Sequence, residues 1–511
     1  MDDILRGPGA LTAHRLLGIR RGIEKESLRT APTGVLAMTP HPRSLGSALT
    51  HPHITTDFSE SQVELITGVH AGVEDCLAEL QEVQKATFQA LGEETLWVSS
   101  MPCGLPADDA IPLGQFGTSN VGQSKTVYRR GLGHRYGRRM QTISGIHYNW
   151  SLPDVSSEDY FGLIRNFRRH AFLLLYLFGA SPAVCSCFVE GRKHQLQSMS
   201  PNTMYLPYAT SLRMGRLGYK SDAQASLAVS YNSLAVYGDS LYSALTQAYP
   251  AYEAIGLQDA NGRYLQLATS LLQIENEFYG TIRAKRVIQP GERPLHALRE
   301  RGVEYVEVRL MDLDPFEPVG INAQTMRFLD VFLLHCLQSE SPPDTPAEIE
   351  ALSHNQHTVA ERGRQPGLML ERDDGQISLQ SWGRELLQQM RPFAAALDAA
   401  HSSQAYTAAV DAAEHGLDHP DTLPSARVLA AVQNEYDGSF GAFVNARSAQ
   451  LKSDTSAKPY AAETRARFDA MAEASWLAQA QIEAADTMPF DEYLKSYLSP
   501  DRLIAKNSKG N

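Results

Sequence analysis

The sequence has few cysteines, and none of them is in a metal-binding pattern. Its 511 residues include five cysteines, and no two of them form a Cys-x-x-Cys pair. A small, odd number of cysteines is typical of a reducing compartment rather than of a disulfide framework. We therefore expect a cytoplasmic protein with free thiols. Cys103, in the segment SMPCG, is expected to be a partly buried thiol rather than a redox switch.

A surplus of positive charge is also missing. Lys and Arg together number 46 against 58 Asp and Glu, so the formal net charge is −12. Proteins that bind nucleic acid or anionic membranes in a general way need a basic footprint. We therefore expect neither nucleic acid nor a membrane among the partners of this chain.

Long apolar runs are nearly absent. The longest uncharged run, residues 171–189, is just long enough for a transmembrane helix. Gly179 and Pro182 interrupt it, which favours a buried helix that ends near Phe178 and is followed by a loop. The first ten residues, MDDILRGPGA, lack the apolar core of a secretory signal, so none is expected.

Two regions of the chain differ in their patterns. Residues from about 18 to 320 mix short alternating segments with helical ones such as 73–94, whereas residues from about 321 to 511 are predicted to be mainly helical. No linker, repeat or low-complexity stretch separates the two regions, so we expect 1–511 to form a single catalytic unit. The polar final segment, 499–511, is expected to be frayed.

Four segments with strand-like alternation carry acids or an imidazole on one face. They are 18–26, 57–67, 141–150 and 302–310. In an extended segment, residues two apart project from the same face. The faces therefore present Glu24 with Glu26, Glu64 with Asp57 just upstream, Gln141 with His147, and Glu307 with Arg309. Ionised side chains cannot form an apolar core surface, so they must meet water, cations or partners.

Two interpretations of these acids remain open from the residue types alone. Carboxylates and an imidazole are ligands of divalent cations, and Mg²⁺ in particular takes oxygen ligands and leaves room for phosphate oxygens. Alternatively, each acid lies on a solvated face of an antiparallel hairpin, unrelated to the others, and Glu307 forms a salt bridge with Arg309.

The same segments belong to a series of motifs that resembles the proteobacterial glutamate–cysteine ligases, also called γ-glutamylcysteine synthetases. In chain order the motifs are GIEKESLRT, LTHPHITTDFSESQVELIT, SMPCGLP, GTSNVGQSKTVYRRGL, RYGRRMQTISGIHYNWSLP, YLPYATSLR, LQIENEFY and GVEYVEVRLMDLDPF. The helical remainder, including EAADTMPF, is similar to the C-terminal part of that family.

The resemblance implies a fold and a reaction. The fold would be α+β and similar to that of glutamine synthetase, with a curved antiparallel sheet that carries the active site and a largely helical C-terminal part. The enzyme would use ATP to join the γ-carboxylate of L-glutamate to the amine of L-cysteine through γ-glutamyl phosphate, the first step of glutathione biosynthesis. Mg²⁺, with Mn²⁺ as an alternative, would be the cation, and glutathione would act as a feedback inhibitor. We expect a monomer.

Glutamine synthetases carry a Glu-x-Glu strand, two further acids, a histidine and a Glu-x-Arg strand, and this chain has matching residues in the same order. By that resemblance the ligands divide into two sets: Glu24, His147 and Glu307 for one Mg²⁺ ion, and Glu26, Asp57 and Glu64 for one or two more. Arg309 shares a predicted strand face with Glu307, so its guanidinium is assigned to the transferring phosphoryl group, which it would contact at two points.

Family position also implies the substrate-binding residues. Arg213 would bind the carboxylate of cysteine, and the residues that line the cysteine pocket would be Tyr128, Gln141, Tyr219 and Tyr279. Arg129 and Asn276 would contact the nucleotide or its phosphates. The basic stretch KTVYRRGLGHRYGRR is interpreted as a solvated patch or one that faces ATP phosphates, because the chain has no P-loop sequence.

Two other functions remain open. A ligase of the same fold could use another acceptor amine, and phosphate release with different amines would distinguish it. A regulator built on an inactive ligase fold would bind a metal or glutamate without releasing phosphate.

Overall fold

The computed structural model describes residues 9–218, 229–373 and 375–505. The strands are β1 (Arg20–Thr30), β2 (Ile54–Thr56), β3 (Gln62–Ile66), β4 (Thr95–Leu96), β5 (Ile146–Ser151), β6 (Ala183–Cys185), β7 (Gln197–Ser200), β8 (Thr203–Tyr205), β9 (Ile282–Lys285), β10 (Tyr305–Met311), β11 (Met369–Arg372) and β12 (Gly375–Ser378).

Helices lie between these strands and make up most of the C-terminal region. They are α1 (Ala13–Leu17), α2 (Val73–Ala90), α3 (Asn120–Tyr136), α4 (Ser157–Phe178), α5 (Ser186–Val189), α6 (Leu234–Thr246), α7 (Pro250–Glu253), α8 (Pro294–Arg301), α9 (Ala323–Gln338), α10 (Pro346–Arg362), α11 (Leu379–His401), α12 (Ala405–Asp418), α13 (Pro424–Glu435), α14 (Phe440–Ala457), α15 (Ala462–Ala485) and α16 (Phe490–Tyr497). The predicted α+β class and the helical C-terminal region are confirmed.

The largest sheet has seven strands, with the order β2-β3-β1-β5-β10-β9 and β4 paired to β1. Its neighbouring strands run antiparallel. The register places Glu24 opposite His147, Glu26 opposite Glu64, and Glu307 opposite Asn149. Directly opposed residues of an antiparallel pair share a face. The polar residues of dispersed segments therefore meet on one surface of the sheet.

The other face of the sheet is part of the main apolar core. Ile23, Leu65, Tyr148 and Val306 are almost fully buried there. Helix α2 packs against β1 and β3, and helix α4 packs against β9 and β10. Because strand side chains alternate, one surface can bury apolar groups while the other carries charge.

Helix α4 confirms the interpretation of the longest uncharged run. The helix ends at Phe178, Gly179 follows it, and almost all of its last eight residues are buried in the core. Among the described helices, we find none with the length and apolar character that crossing a bilayer would require.

Two local expectations are corrected. The strand expected over 141–150 begins only at Ile146, because the amides of Gln141 and Thr142 donate to the carbonyls of Arg138 and Arg139 in a 3-10 turn. Residues 499–505 are not frayed, since Leu503 is almost fully buried and its carbonyl accepts from Arg299 at 3.0 Å. Residues 506–511 lie outside the described part of the chain.

The prediction of a free thiol at Cys103 is wrong. Cys103 forms a disulfide with Cys185, and their Cα atoms are 5.2 Å apart, within the range that a disulfide requires. The two residues are 82 positions apart in the sequence, so only the packing of the 97–116 loop against β6 brings them together. Cys76, Cys187 and Cys336 are free.

Two packed histidines, the buried His335 and the half-buried His170, make the fold sensitive to acid. His170 of α4 stacks on His335 of α9 with ring centroids 5.6 Å apart. Burial lowers the pKa of His335 to about 4, and burial beside His335 holds the pKa of His170 well below its ordinary value. The unfolded chain therefore binds protons that the folded chain does not as the pH falls below about 6.5. Stability is lost between that pH and the folded-state pKa.

We expect His335→Leu to reduce this acid sensitivity. The difference in unfolding free energy between pH 7.5 and pH 5.0 should shrink by about 2 kcal/mol, since that proton uptake is removed. Urea unfolding at the two pH values measures it. The exposed His14 gives the matched control, because His14→Leu should leave the difference unchanged. An equal pH dependence in wild type and His335→Leu would contradict the prediction.

Candidate active site

A cavity of about 450 Å³ lies over the charged face of the sheet. This volume is within the range of small-molecule sites. The sequence-predicted residues that line it are Glu24, Glu26, Asp57, Glu64, Tyr128, Arg129, Gln141, His147, Asn276, Tyr279, Glu307 and Arg309. Arg213 lines a neighbouring cavity, and Tyr219 lies outside the described residues.

The acidic end of the cavity is built around His147. Its Nδ1 atom is 3.1 Å from Glu24 Oε2 and 3.7 Å from Glu307 Oε1, and its Nε2 atom is 3.7 Å from Glu26 Oε1. One ligand atom each from Glu24, Glu64 and His147 lie within 4.8 Å of one another. This compact set differs from the expected partition, which placed Glu64 with Glu26 and Asp57.

Crowded carboxylates leave this end short of positive charge. Burial and the nearby Asp57 raise the pKa of Glu26 to about 8. Burial, together with Glu24, Asp57 and Glu26, raises the pKa of Glu64 well above its ordinary value. A divalent cation would relieve this repulsion, and oxygen and imidazole donors are the ligands that such cations take. The donor set therefore fits a divalent metal.

Glu307 lies among cations instead. Its carboxylate is 3.1 Å from Arg309 Nη1, 3.4 Å from Lys285 Nζ and 3.6 Å from Arg283 Nη1. Burial alone would raise the pKa of Glu307, but Lys285, Arg309 and Arg283 outweigh it and hold that pKa well below its ordinary value. The Glu307–Arg309 salt bridge, which the sequence left open as an alternative, is present. The three cations also give this side of the cavity an anion-binding character.

Helix α3 supplies two further cations. Arg129 lies over the Phe116 ring at 4.2 Å, and its guanidinium donates to backbone carbonyls, including that of Asp57. Lys125, one turn earlier, is 5.2 Å from the same ring. Burial and the neighbouring Arg129 lower the pKa of Lys125 to about 8. Both side chains line the cavity.

A second cavity, of about 770 Å³, meets the first one at Tyr279 and Arg309, which line both. Arg213 lies in its wall, donates to the Arg309 carbonyl at 2.8 Å and is 3.9 Å from Asp312. Its guanidinium packs where a Cβ atom at position 145 would lie, so Gly145 is needed for this close approach. In the first cavity, Gln141 donates to the Tyr279 hydroxyl at 2.7 Å, despite lying in a turn rather than a strand.

Sequence reasoning missed several cavity residues: Lys125, Arg283, Lys285, Tyr493 and Tyr497. Arg283 and Lys285 could have been found from the alternation of the segment IRAK, since residues two apart share a face. Lys125 was included in the basic stretch without a role of its own. No sequence pattern around Tyr493 or Tyr497 indicates a cavity, because they line it only through the packing of α16, the last α-helix in the described part of the chain.

Comparisons with known proteins identify the family of this chain. The family model described as glutamate-cysteine ligase matches residues 10–359. The glutamate–cysteine ligase of Alcanivorax borkumensis is 46% identical over 507 residues, covering 95% of this chain and 96% of that protein. The one from Saccharophagus degradans is 47% identical over 502 residues, covering 94% of each chain.

Two solved structures are similar as well. The glutamate–cysteine ligase of Francisella tularensis, in complex with AMP, has a TM-score of 0.90 and 36% identity, covering 96% of this chain and 98% of that one. A bifunctional glutathione synthetase from Pasteurella multocida has a TM-score of 0.71 and 25% identity, covering 91% of this chain and 57% of that one. On the family match and the near-full-length relatives, this chain belongs to the glutamate–cysteine ligase family.

Proposed function

We propose that the cavity over the charged sheet face is the active site of an ATP-dependent glutamate–cysteine ligase. The γ-carboxylate of glutamate attacks the γ-phosphate of ATP, which releases ADP and gives γ-glutamyl phosphate. The amine of cysteine then attacks the acyl carbon, and phosphate leaves. The product is γ-glutamylcysteine, in the first step of glutathione biosynthesis. The observation that carries this proposal is the side-by-side placement of a carboxylate cluster and a cation cluster in one cavity.

The carboxylate cluster is suited to Mg²⁺, or to Mn²⁺ in its place. The residues proposed to hold the ions are Glu24, Glu26, Asp57, Glu64, His147 and Glu307. A bound divalent cation would neutralise the two anions that must approach each other and would stabilise charge on the phosphoryl oxygens. His147 is kept neutral, because burial and the nearby Arg309 lower its pKa, so its ring nitrogens suit ligation rather than ion pairing.

The cation cluster is suited to the transferring phosphoryl group. Arg309 borders both cavities, and its guanidinium can make a planar, two-point contact with phosphoryl oxygens. Arg283 and Lys285 lie on the neighbouring strand and add positive charge beside it. We propose Arg309 as the catalytic residue and Arg129, with Asn276, as nucleotide contacts. The AMP bound by the Francisella relative supports nucleotide binding by this chain.

The second cavity is suited to the amino-acid substrates. We propose that Arg213 in the second cavity binds the cysteine carboxylate. The cysteine pocket is proposed to continue past Tyr279 into the first cavity, where Tyr128 and Gln141 line it. Tyr219, which lies outside the described residues, is proposed to belong to the same pocket. We further propose a monomeric, cytoplasmic enzyme that acts as one unit over 1–511 and is inhibited by glutathione in its substrate site. Core residues from both regions, such as Leu16 and Leu397, belong to one apolar cluster, which supports the single unit.

Product identification tests the proposed reaction directly. ATP, glutamate and cysteine are incubated with the enzyme, with and without Mg²⁺, and the products are identified by mass spectrometry. We expect γ-glutamylcysteine, ADP and phosphate only when the cation is present. Faster phosphate release with 2-aminobutyrate or ammonia than with cysteine would identify another acceptor. Binding without phosphate release would identify a regulator.

We expect Arg213→Ala to raise the KM for cysteine far more than the KM for glutamate. Loss of a buried, charge-assisted partner of a carboxylate costs on the order of 2–5 kcal/mol, which corresponds to about thirtyfold or more in KM. Steady-state kinetics in each substrate measure the two constants. Arg362→Ala, at an exposed position on α10, is the control and should change neither. If the glutamate KM rises instead, Arg213 belongs to the donor pocket.

A further inference from the structure

One end of the first cavity has no role in the chemistry described above. At this end the lining includes the apolar or aromatic residues Leu267, Ile274, Ile288, Tyr493 and Tyr497, beside the carboxylates of Glu275 and Glu292. Ile288 is 48% exposed, although isoleucine is usually buried. Exposed apolar groups inside a cleft are typical of a ligand-binding surface.

The two tyrosines belong to the last described helix, α16. They are four residues apart, so they lie on one side of the helix. Their ring centroids are 5.8 Å apart, and the ring planes are inclined by only 6°. Leu494 of the same helix packs in a small apolar cluster with Val127 and Leu267. The helix is therefore packed against the cavity wall at this end.

Polar contacts fix α16 at both ends. The carbonyl of Met488, just before the helix, accepts from Asn120 Nδ2 at 2.8 Å. The carbonyl of Tyr497, at its last residue, accepts from Arg293 Nη1 at 3.0 Å. Arg293 is almost fully buried and is paired with Glu275 at 2.7 Å. The tyrosines are thus presented on a fixed surface rather than on a loose chain end.

ATP has two unlike halves, and the cavity has two unlike ends. The triphosphate needs cations, which the sheet end supplies. The adenine base is planar and has apolar faces, and aromatic side chains bind such faces by stacking and packing. A nucleotide whose phosphates lie over the sheet would place its base at the apolar end.

We propose that helix α16 forms the base-binding wall of the nucleotide site, with Tyr493 and Tyr497 packing against the adenosine of ATP. This inference rests on the proposed function, because it takes the first cavity to hold ATP. It assigns to the C-terminal helix a direct part in substrate binding. Tyr493 and Tyr497 would act through ring packing rather than through their hydroxyl groups.

The test compares alanine and phenylalanine variants at both positions. Tyr493→Ala and Tyr497→Ala should each raise the KM for ATP about tenfold, in the range expected for loss of one stacking side chain. The KM values for glutamate and cysteine should stay within about twofold. Tyr493→Phe and Tyr497→Phe should behave like wild type. Tyr460→Ala removes a half-buried tyrosine outside the cavity and is the matched control.

Two inhibitors separate the base from the phosphates. AMP should inhibit the alanine variants about tenfold more weakly than it inhibits wild type, whereas inorganic tripolyphosphate should inhibit all of them equally. If the alanine substitutions weaken inhibition by AMP and by tripolyphosphate equally, the proposal is overturned, since the helix would then act on the whole site. An unchanged ATP KM in active alanine variants would also overturn it and leave α16 a structural role. A wild type that binds AMP but forms no γ-glutamylcysteine would instead count against the proposed function.

Discussion

Replacing Arg309 with alanine is expected to lower kcat by about a hundredfold to a thousandfold while changing the KM for ATP little. Arg309 borders both cavities and is 3.1 Å from Glu307, so it lies where the two substrates would meet. A group that contacts the phosphoryl oxygens mainly as charge develops there contributes to kcat rather than to ground-state binding. Arg309→Lys should recover only part of the rate, because lysine cannot make the planar two-point contact.

Rapid-quench measurement with labelled ATP isolates the step concerned, formation of the acyl phosphate in a single turnover. Arg286→Ala is the control, because Arg286 comes directly after β9, pairs with Glu304 and does not line the cavity. It should form the acyl phosphate at the wild-type rate. If Arg309→Ala also does so, Arg309 serves only as the ion-pair partner of Glu307.

Replacing Glu24 with glutamine is expected to abolish turnover, with a loss of about a thousandfold or more, while the protein stays folded. Glu24 belongs to the compact set of ligand atoms with Glu64 and His147, and glutamine removes the negative charge that holds a cation there. Losing the Lewis-acid help of a metal removes several kcal/mol of transition-state stabilisation. Glutamine keeps an oxygen that can accept from Asn149, now 3.0 Å from Glu24 Oε1, so the sheet should persist.

Titration of Mn²⁺ binding, followed by electron paramagnetic resonance, gives a readout that does not depend on activity. Glu24→Gln should bind the ion more weakly, and so should Glu307→Gln if Glu307 is a ligand rather than only a partner of Arg309. Glu304→Gln is the control, since Glu304 is half-exposed, precedes β10 and does not line the cavity. If Glu24→Gln turns over at the wild-type rate at saturating Mg²⁺, Glu24 is not a ligand of the proposed metal site.

Much of the site could be predicted from local alternation. The spacing of Glu24 and Glu26 fixes their shared face once the segment is extended. Glu307 and Arg309 are also two residues apart and form an ion pair, although the register of β10 against β5 shifts just after Val308. The end of α4 at Phe178 followed from the glycine and proline just beyond it. In each case the residues that carry the pattern lie within a few positions of the structural feature that they predict.

The rest depended on contacts between distant parts of the chain. The segment 141–150 alternates like a strand throughout, but the amides of Gln141 and Thr142 bond within a turn, so only its second half is a strand. The pairing of Cys103 with Cys185 arises from tertiary packing, which no spacing between cysteines reveals. Tyr493 reaches the cavity only because α16 docks on residues from helix α3 and from the loop before α8. The residue pattern of a single segment does not predict such tertiary contacts.

The strand order determines how late in folding the active site can form. Glu24 and His147 are opposed on neighbouring strands, yet they are 123 positions apart in the sequence. β10, which adds Glu307, comes later still and pairs with β5. Such non-local pairings form slowly, because long loops must close before any contact compensates for their lost entropy. The proposed cation-binding surface therefore requires β3, β1, β5 and β10 to be paired, and the appearance of metal affinity during refolding would mark that pairing.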